Sequence, residues 1–273
     1  MATLRVRMFG QPIDFVDCPG LLDGFLSILS GWAVDGPMPV DDTPAYVTFT
    51  RDAEGHHWNA PWLVDGCERK IVPSTSTVDA VCDFHYEFID WFADRHPDHL
   101  CLHAAAVRIG DGLVLFPCVQ RAGKSTLVGQ FAAMGHEVFG DDVVGIEPRH
   151  DHGFALGLAP RLRLPLPVRA MGRELEEFLL DRRGLSDDTC MYLDLRRGEI
   201  ADLGRTAPIR AVCILERKDE GPVEIGDLSV SRALRSLIDQ NFGVLHRPGR
   251  IFDRLRAVAG EADRYVLRYS DLR

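Results

Sequence analysis

The spacing of apolar residues changes period several times along the chain. Leu4 to Met8 alternates and predicts a strand, and Leu21 to Leu29 has the spacing of a short helix. Ala45 to Thr50 and His57 to Ala60 predict strands on either side of a turn at Asp52-Ala53-Glu54-Gly55. Val78 to Ala93 carries Val81, Phe84, His85, Phe88, Trp91 and Phe92 at helical spacing, which predicts a helix packed on a small sheet. Asp94 to Asp98 ends this pattern, because the proline at 97 cannot continue a helix.

Beyond that point the pattern is that of alternating strands and helices. Leu100 to Ile109 predicts one buried strand, and a turn at Gly110-Asp111-Gly112 leads to a second, Leu113–Phe116. The two form a hairpin or lie as separate neighbours. Ser125 to Met134 predicts a helix with Leu127, Val128, Phe131 and Ala132 on one face and Gly135 as its C-terminal cap. Val138-Phe139 predicts a short strand, and Val143 to Ile146 continues extended. Prolines keep Pro160 to Pro167 out of a helix. Helices are predicted over Glu174–Leu180, Ser229–Phe242 and Ile251–Val258, and strands over Ile209–Glu216 and Tyr265–Tyr269. The chain therefore divides into an α+β module over residues 1–98, suited to substrate or partner binding, and an α/β domain over residues 99–273.

Composition narrows the function. A hydrophobic content of 46% in 273 residues supports a full core. No apolar run approaches the roughly 18 residues of a membrane span, and the start MATLRVRMFG lacks the apolar centre of a signal peptide, so a cytoplasmic location is expected. The seven cysteines include no C-x-x-C pair, which argues against a zinc site or a disulfide framework. A net charge of −10 argues against a general nucleic-acid binder.

The chemistry concentrates between Leu113 and Asp142, LVLFPCVQRAGKSTLVGQFAAMGHEVFGDD. An apolar strand enters Gly-Lys-Ser-Thr, a helix follows, and a short strand ends in two aspartates. This is the order of a phosphate-binding βαβ unit, in which helix N-terminal N–H groups face an anion, lysine neutralises phosphate charge and serine ligands Mg²⁺. Gln120, Arg121, Ala122, Gly123, Lys124, Ser125 and Thr126 are the predicted nucleotide-binding residues. Lys124 is one of only three lysines in the chain, which adds weight to its role. Cys118 replaces the first glycine of the full G-x-x-x-x-G-K-[ST] pattern, and Arg121 stands where many such loops have another glycine. The Arg121 guanidinium points outward or supplements phosphate binding. Asp141 and Asp142 follow Lys124 by 17 and 18 positions, the length of a ten-residue helix and its return strand. Carboxylates at that sheet edge suit two roles, one holding Mg²⁺ or its water and one accepting a proton from a hydroxyl. An Asp-Asp pair that merely begins a turn is the plain alternative. His103, in the preceding apolar run, is either a core histidine or a site residue.

Taken together, LHAAAV, LVLFP, AGKST and MGHEVFGDD resemble the HPr kinase/phosphorylase family, and more closely its shorter HPr-kinase-related proteins. The strong resemblance covers Leu100 to Pro148 and continues more weakly through Ile209–Arg217 and Leu228–Phe242. It implies a phosphoenolpyruvate-carboxykinase-like P-loop core, ATP and Mg²⁺ as cofactors, and phosphoryl transfer to a serine-type hydroxyl. It further implies Lys124 on the β/γ-phosphates, Ser125 on Mg²⁺ and Asp141 as general base. Asp142 would support the metal or its water, and His103 would lie near the transferred phosphate. A transfer-stabilising arginine is expected, with Arg161, Arg163 and Arg169 as candidates. Relatives of this kind are usually oligomeric, which implies a homo-oligomer. Shorter ones accompany ribosomally made peptides, which implies a peptide, protein or small-molecule acceptor with a serine-type hydroxyl. The altered loop also motivates another function, a non-catalytic nucleotide-binding scaffold, and fold does not decide between ATP and another phosphoryl donor.

Overall fold

The computed structural model describes residues 3–8, 11–59, 74–96, 98–117, 122–148, 151–167, 171–242 and 248–271. These form a mixed α/β structure with six helices. The chain divides into two compact units, Met1–Glu87 and Phe88–Arg273.

In the first unit, β1 (Thr3–Met8) and β2 (Gln11–Val16) pair antiparallel and are followed by α1 (Pro19–Ser27), β3 (Val34–Met38), β4 (Val47–Arg51) and β5 (His56–Asn59). The sheet order is β3-β1-β2-β4-β5. Pro19 opens α1, where its fixed φ and missing N–H cost nothing. Register between β1 and β2 sets Arg5 opposite Asp14, and the buried guanidinium grips the carboxylate through Nε at 2.7 Å and Nη2 at 2.8 Å. A register slip would break this buried pair, at a cost of several kcal/mol. Phe15 and Phe49 stack at 5.1 Å beneath this sheet. Ala60, the end of one predicted strand, lies outside the described residues. The predicted aromatic helix is α2 (Thr77–Arg95), and the division between the two units falls inside it.

The second unit continues with β6 (Leu100–Leu102), β7 (Ala105–Ile109), β8 (Gly112–Phe116), α3 (Lys124–Ala133), β9 (Val138–Gly140), β10 (Val144–Ile146) and β11 (His152–Phe154). Next come β12 (Arg161–Arg163), α4 (Arg173–Asp181), β13 (Arg183–Ser186), β14 (Cys190–Leu193) and β15 (Thr206–Arg217). The chain closes with β16 (Glu224–Asp227), α5 (Val230–Asp239), α6 (Pro248–Glu261) and β17 (Asp263–Tyr269).

The main sheet runs β9-β7-β8-β15-β17-β16, and β11, β10 and β6 extend it from the start of β15. Two-residue periodicity sorts the side chains between its faces. Ala105, Val107 and Phe116 pack with Leu127 and Val128 of α3 on one face. Ala104, Ala106, Leu113 and Leu115 pack with Leu237 of α5 and Leu255 and Val258 of α6 on the other. A sheet covered on both sides explains the near-continuous apolar runs in its strands. Arg264 locks the turn from α6 into β17 by donating through Nη1 to the carbonyls of Ala259, Gly260 and Ala262 at 3.1, 3.2 and 2.6 Å.

One expectation changes. Leu100 to Ile109 is two strands, not one: β6 pairs with β10, whereas β7 pairs with β8 and β9. The break falls at His103, whose N–H donates to the Gln240 carbonyl at 2.6 Å instead of to a strand. The β7–β8 pair is a hairpin closed between Ile109 and Gly112. A separate three-stranded sheet, β12-β14-β13, joins α4 around Leu162, Leu175, Leu179, Met191 and Leu193. The short segments forming β13 and β14 carry too little alternation to announce strands. Among the described residues no helix is long and apolar enough to cross a membrane.

Candidate functional site

Pairing directions gather the site onto one edge of the main sheet. β15 and β17 are parallel to β8, and β7 lies antiparallel between β8 and β9. Ala105 pairs with Phe116 and Ala106 with Gly140, so the exits of β8 and β9 lie side by side. The loop into α3 and the aspartates after β9 therefore emerge at the same edge, the usual ligand edge of an open α/β sheet.

At the first exit, α3 begins from Gly123 in the left-handed conformation, φ +90° and ψ +15°. A Cβ there would also run into the Tyr269 hydroxyl. Both facts demand glycine. The helix start has no side-chain cap and no acid in its first turn. A helix start of this kind turns its first N–H groups and the positive end of its dipole toward an anion. Lys124 is 6% exposed, which keeps its ammonium within this polar edge and out of bulk water.

At the second exit the chain reverses tightly. A Cβ on Gly140 would strike the Val143 carbonyl, so only glycine lets the backbone turn back and present Asp141 and Asp142 at its tip. Asp141 is buried at 3% exposure. Its Oδ2 accepts the Arg161 backbone N–H at 3.2 Å, and the Ser125 hydroxyl also bonds the carboxyl. Oδ1 is buried with no hydrogen-bond partner among the described residues. Burial, and then the Asp142 charge, pushes the Asp141 carboxyl up to about 7, against the opposing pull of Ser125, the Arg161 amide and Lys124. The carboxyl is thus poised between its two protonation states near neutral pH.

Asp142 is more open. Its Oδ1 lies 3.6 Å from His103 Nε2, and its Oδ2 lies 3.5 Å from Arg161 Nη2. The His103 ring in turn packs at 5.9 Å from Phe242. Strand register explains why Arg161 serves both aspartates. Pro160 accepts from Leu193 at 2.8 Å and Leu164 donates to Thr189 at 2.7 Å, so the even positions face β14 and the Arg161 amide points outward to Asp141.

Of the predicted residues, the structure brings Lys124, Ser125, Asp141, Asp142 and His103 into one cluster, with Ala122 and Gly123 at its rim. Ser125 is bonded to Asp141, whereas Asp142 is turned toward His103 and Arg161. Cys118, Gln120 and Arg121 lie outside the described residues, as does Arg169. Of the two described candidates, Arg161 and Arg163, Arg161 is the one with a contact to the aspartates. Thr126 follows Ser125 in the first turn of α3. Two contributors carry no local signal, Tyr269 and Ser236, whose hydroxyls donate to the carbonyls of Ala122 and Pro117.

The donor set consists of hydroxyl and carboxylate oxygens, the hard ligands that suit Mg²⁺. The buried Asp141 Oδ1 shows polar capacity at the site beyond what the described residues satisfy. Among the described residues no group of three or more His, Cys, Asp or Glu side chains could cage a metal unaided. Any Mg²⁺ here would depend on phosphate oxygens and water for the rest of its shell, its habit at nucleotide sites.

No family model matches this chain, and no curated protein matches it.

Proposed function

We propose that the chain is an ATP- and Mg²⁺-dependent phosphotransferase with an HPr-kinase-like P-loop core, acting on a serine-type hydroxyl of a peptide, protein or small molecule. The observation that carries this reading is the meeting of the uncapped Gly123–Lys124–Ser125 helix start with the Asp141–Asp142 pair on one sheet edge. The order strand, Gly-Lys-Ser, helix, strand and Asp-Asp supports it independently.

Each residue then has a physical task. The N–H groups at the start of α3 and the Lys124 ammonium hold phosphate charge. Ser125 and Asp142 are the residues that would hold Mg²⁺, which when bound neutralises charge on the phosphates. Asp141, poised near neutrality, accepts the proton of the acceptor hydroxyl. His103 steadies Asp142 from one side, and Arg161 steadies it from the other while reaching toward the transferring group. Such transfer needs alignment and charge neutralisation more than covalent chemistry, and these groups provide both.

Transfer of label from γ-labelled ATP to serine-containing peptides tests the reading. The wild-type chain should transfer label in a Mg²⁺-dependent manner, and Asp141→Asn should lower the rate about a hundredfold or more. An Asp141→Asn chain as fast as wild type would refute the assigned base.

A further inference from the structure

The loop between β8 and α3 departs from the glycine-rich pattern, and the structure shows what holds its two ends. At the far end, the buried Tyr269 hydroxyl donates to the Ala122 carbonyl at 2.5 Å. At the near end, the Ser236 hydroxyl of α5 donates to the Pro117 carbonyl. Neither hydroxyl belongs to the loop or to the βαβ unit; they come from 147 and 119 residues away along the chain.

An anion-binding loop must turn its N–H groups inward and its carbonyls outward. A carbonyl that accepts from a fixed hydroxyl is committed outward. Tyr269 is well placed to enforce this. Its strand is anchored at the start by Arg264 and at the end by the Lys218 N–H, which donates to the Tyr269 carbonyl at 2.8 Å. Its ring packs among Ala122, Leu127 and Val128 at the base of α3. The same hydroxyl occupies the space that any Cβ on residue 123 would need, so it and the left-handed Gly123 fit as a pair. Ser236 has a different anchorage, since α5 packs on the opposite face of the sheet from α3.

We infer that Tyr269 and Ser236 are positioning residues for a nucleotide phosphate, two hydroxyl latches that fix the carbonyls of Pro117 and Ala122 where the chain leaves β8 and enters α3. The inference rests on the nucleotide reading above. The latches act through the backbone and touch no substrate. They supply from outside the loop a restraint that a sequence with Cys118 and Arg121 does not obtain from glycine.

The test is calorimetric titration of the full chain with Mg²⁺-ATP, for wild type, Tyr269→Phe, Ser236→Ala and Ser236→Thr, with melting temperatures taken without nucleotide. Tyr269→Phe should melt within a few degrees of wild type yet bind roughly tenfold more weakly, the loss expected from one buried hydrogen bond. Ser236→Ala should lose affinity in the same direction, and Ser236→Thr, which keeps a hydroxyl, should restore it. Wild-type affinity in Tyr269→Phe and Ser236→Ala overturns the inference while leaving the nucleotide reading intact. A wild-type chain that binds no Mg²⁺-ATP, with Lys124→Ala indistinguishable from it, overturns the nucleotide reading and the latches with it. If Tyr269→Phe fails to fold, Ser236→Ala on its helix surface decides alone.

Discussion

The backbone amide of Arg161 donates to Asp141 Oδ2 at 3.2 Å, and this bond ties the small β12-β14-β13 sheet to the acidic tip after β9. It also separates two functions of one residue. The amide belongs to the geometry of Asp141, whereas the guanidinium faces Asp142.

Arg161→Ala should therefore leave the Asp141 contact in place, because the donor is backbone. The variant is expected to fold and to bind Mg²⁺-ATP within a few-fold of wild type, while turnover falls about a hundredfold or more. Steady-state kinetics beside calorimetry checks this split. Equal losses in binding and turnover would instead make Arg161 a binding residue.

Asp141 gives a stability prediction with a definite sign. Its carboxyl goes from the ordinary 3.8 when unfolded up to about 7 when folded, so the folded state holds the proton more tightly. Its contribution is then fully present below about pH 4 and is lost as pH rises through about 7. Asp141→Asn removes that loss. Without nucleotide or metal, the variant should be more stable than wild type by on the order of a few kcal/mol at pH 8, with the gap shrinking toward pH 4. Urea melts at a series of pH values measure it. A gap that does not change with pH contradicts the burial argument.

Gly123→Ala should fail for two reasons that add. The left-handed φ of +90° costs a side chain about 1–2 kcal/mol, and the new methyl meets the Tyr269 hydroxyl. The expected outcome is a melting temperature lower by several degrees and nucleotide affinity lower by more than tenfold. Gly135→Ala, also at positive φ but with open space around it, should cost stability and leave affinity unchanged.

Cys101 reports on the packing beneath the site. It is 1% exposed, and burial pushes its thiol up to about 12. The folded chain should leave Cys101 unmodified by iodoacetamide at pH 8, with labelling appearing only as urea unfolds the sheet. Mass mapping of the labelled peptides tests this.

The amount legible in the sequence followed the range of the interactions involved. The β8, α3 and β9 series and the aspartates after it were readable because strand and helix periods, a helix-start glycine and a turn are local signals. The break at His103 was not, because it is made by a hydrogen bond to Gln240, far along the chain. Arg161 could be named only as one of three arginines. Arg163, two positions on, shares its side of β12, so what distinguishes Arg161 is its contact with the aspartates after β9, made across a long stretch of chain. Tyr269 and Ser236 had no signal at all, since a hydroxyl latch leaves no period in the sequence of the loop it holds.

Calorimetry of Mg²⁺-ATP binding to the wild-type chain and to Lys124→Ala tests the central claim most directly. The account predicts saturable, Mg²⁺-dependent binding by wild type that the substitution abolishes. Wild type and Lys124→Ala behaving alike, with no binding at millimolar ATP, would contradict it.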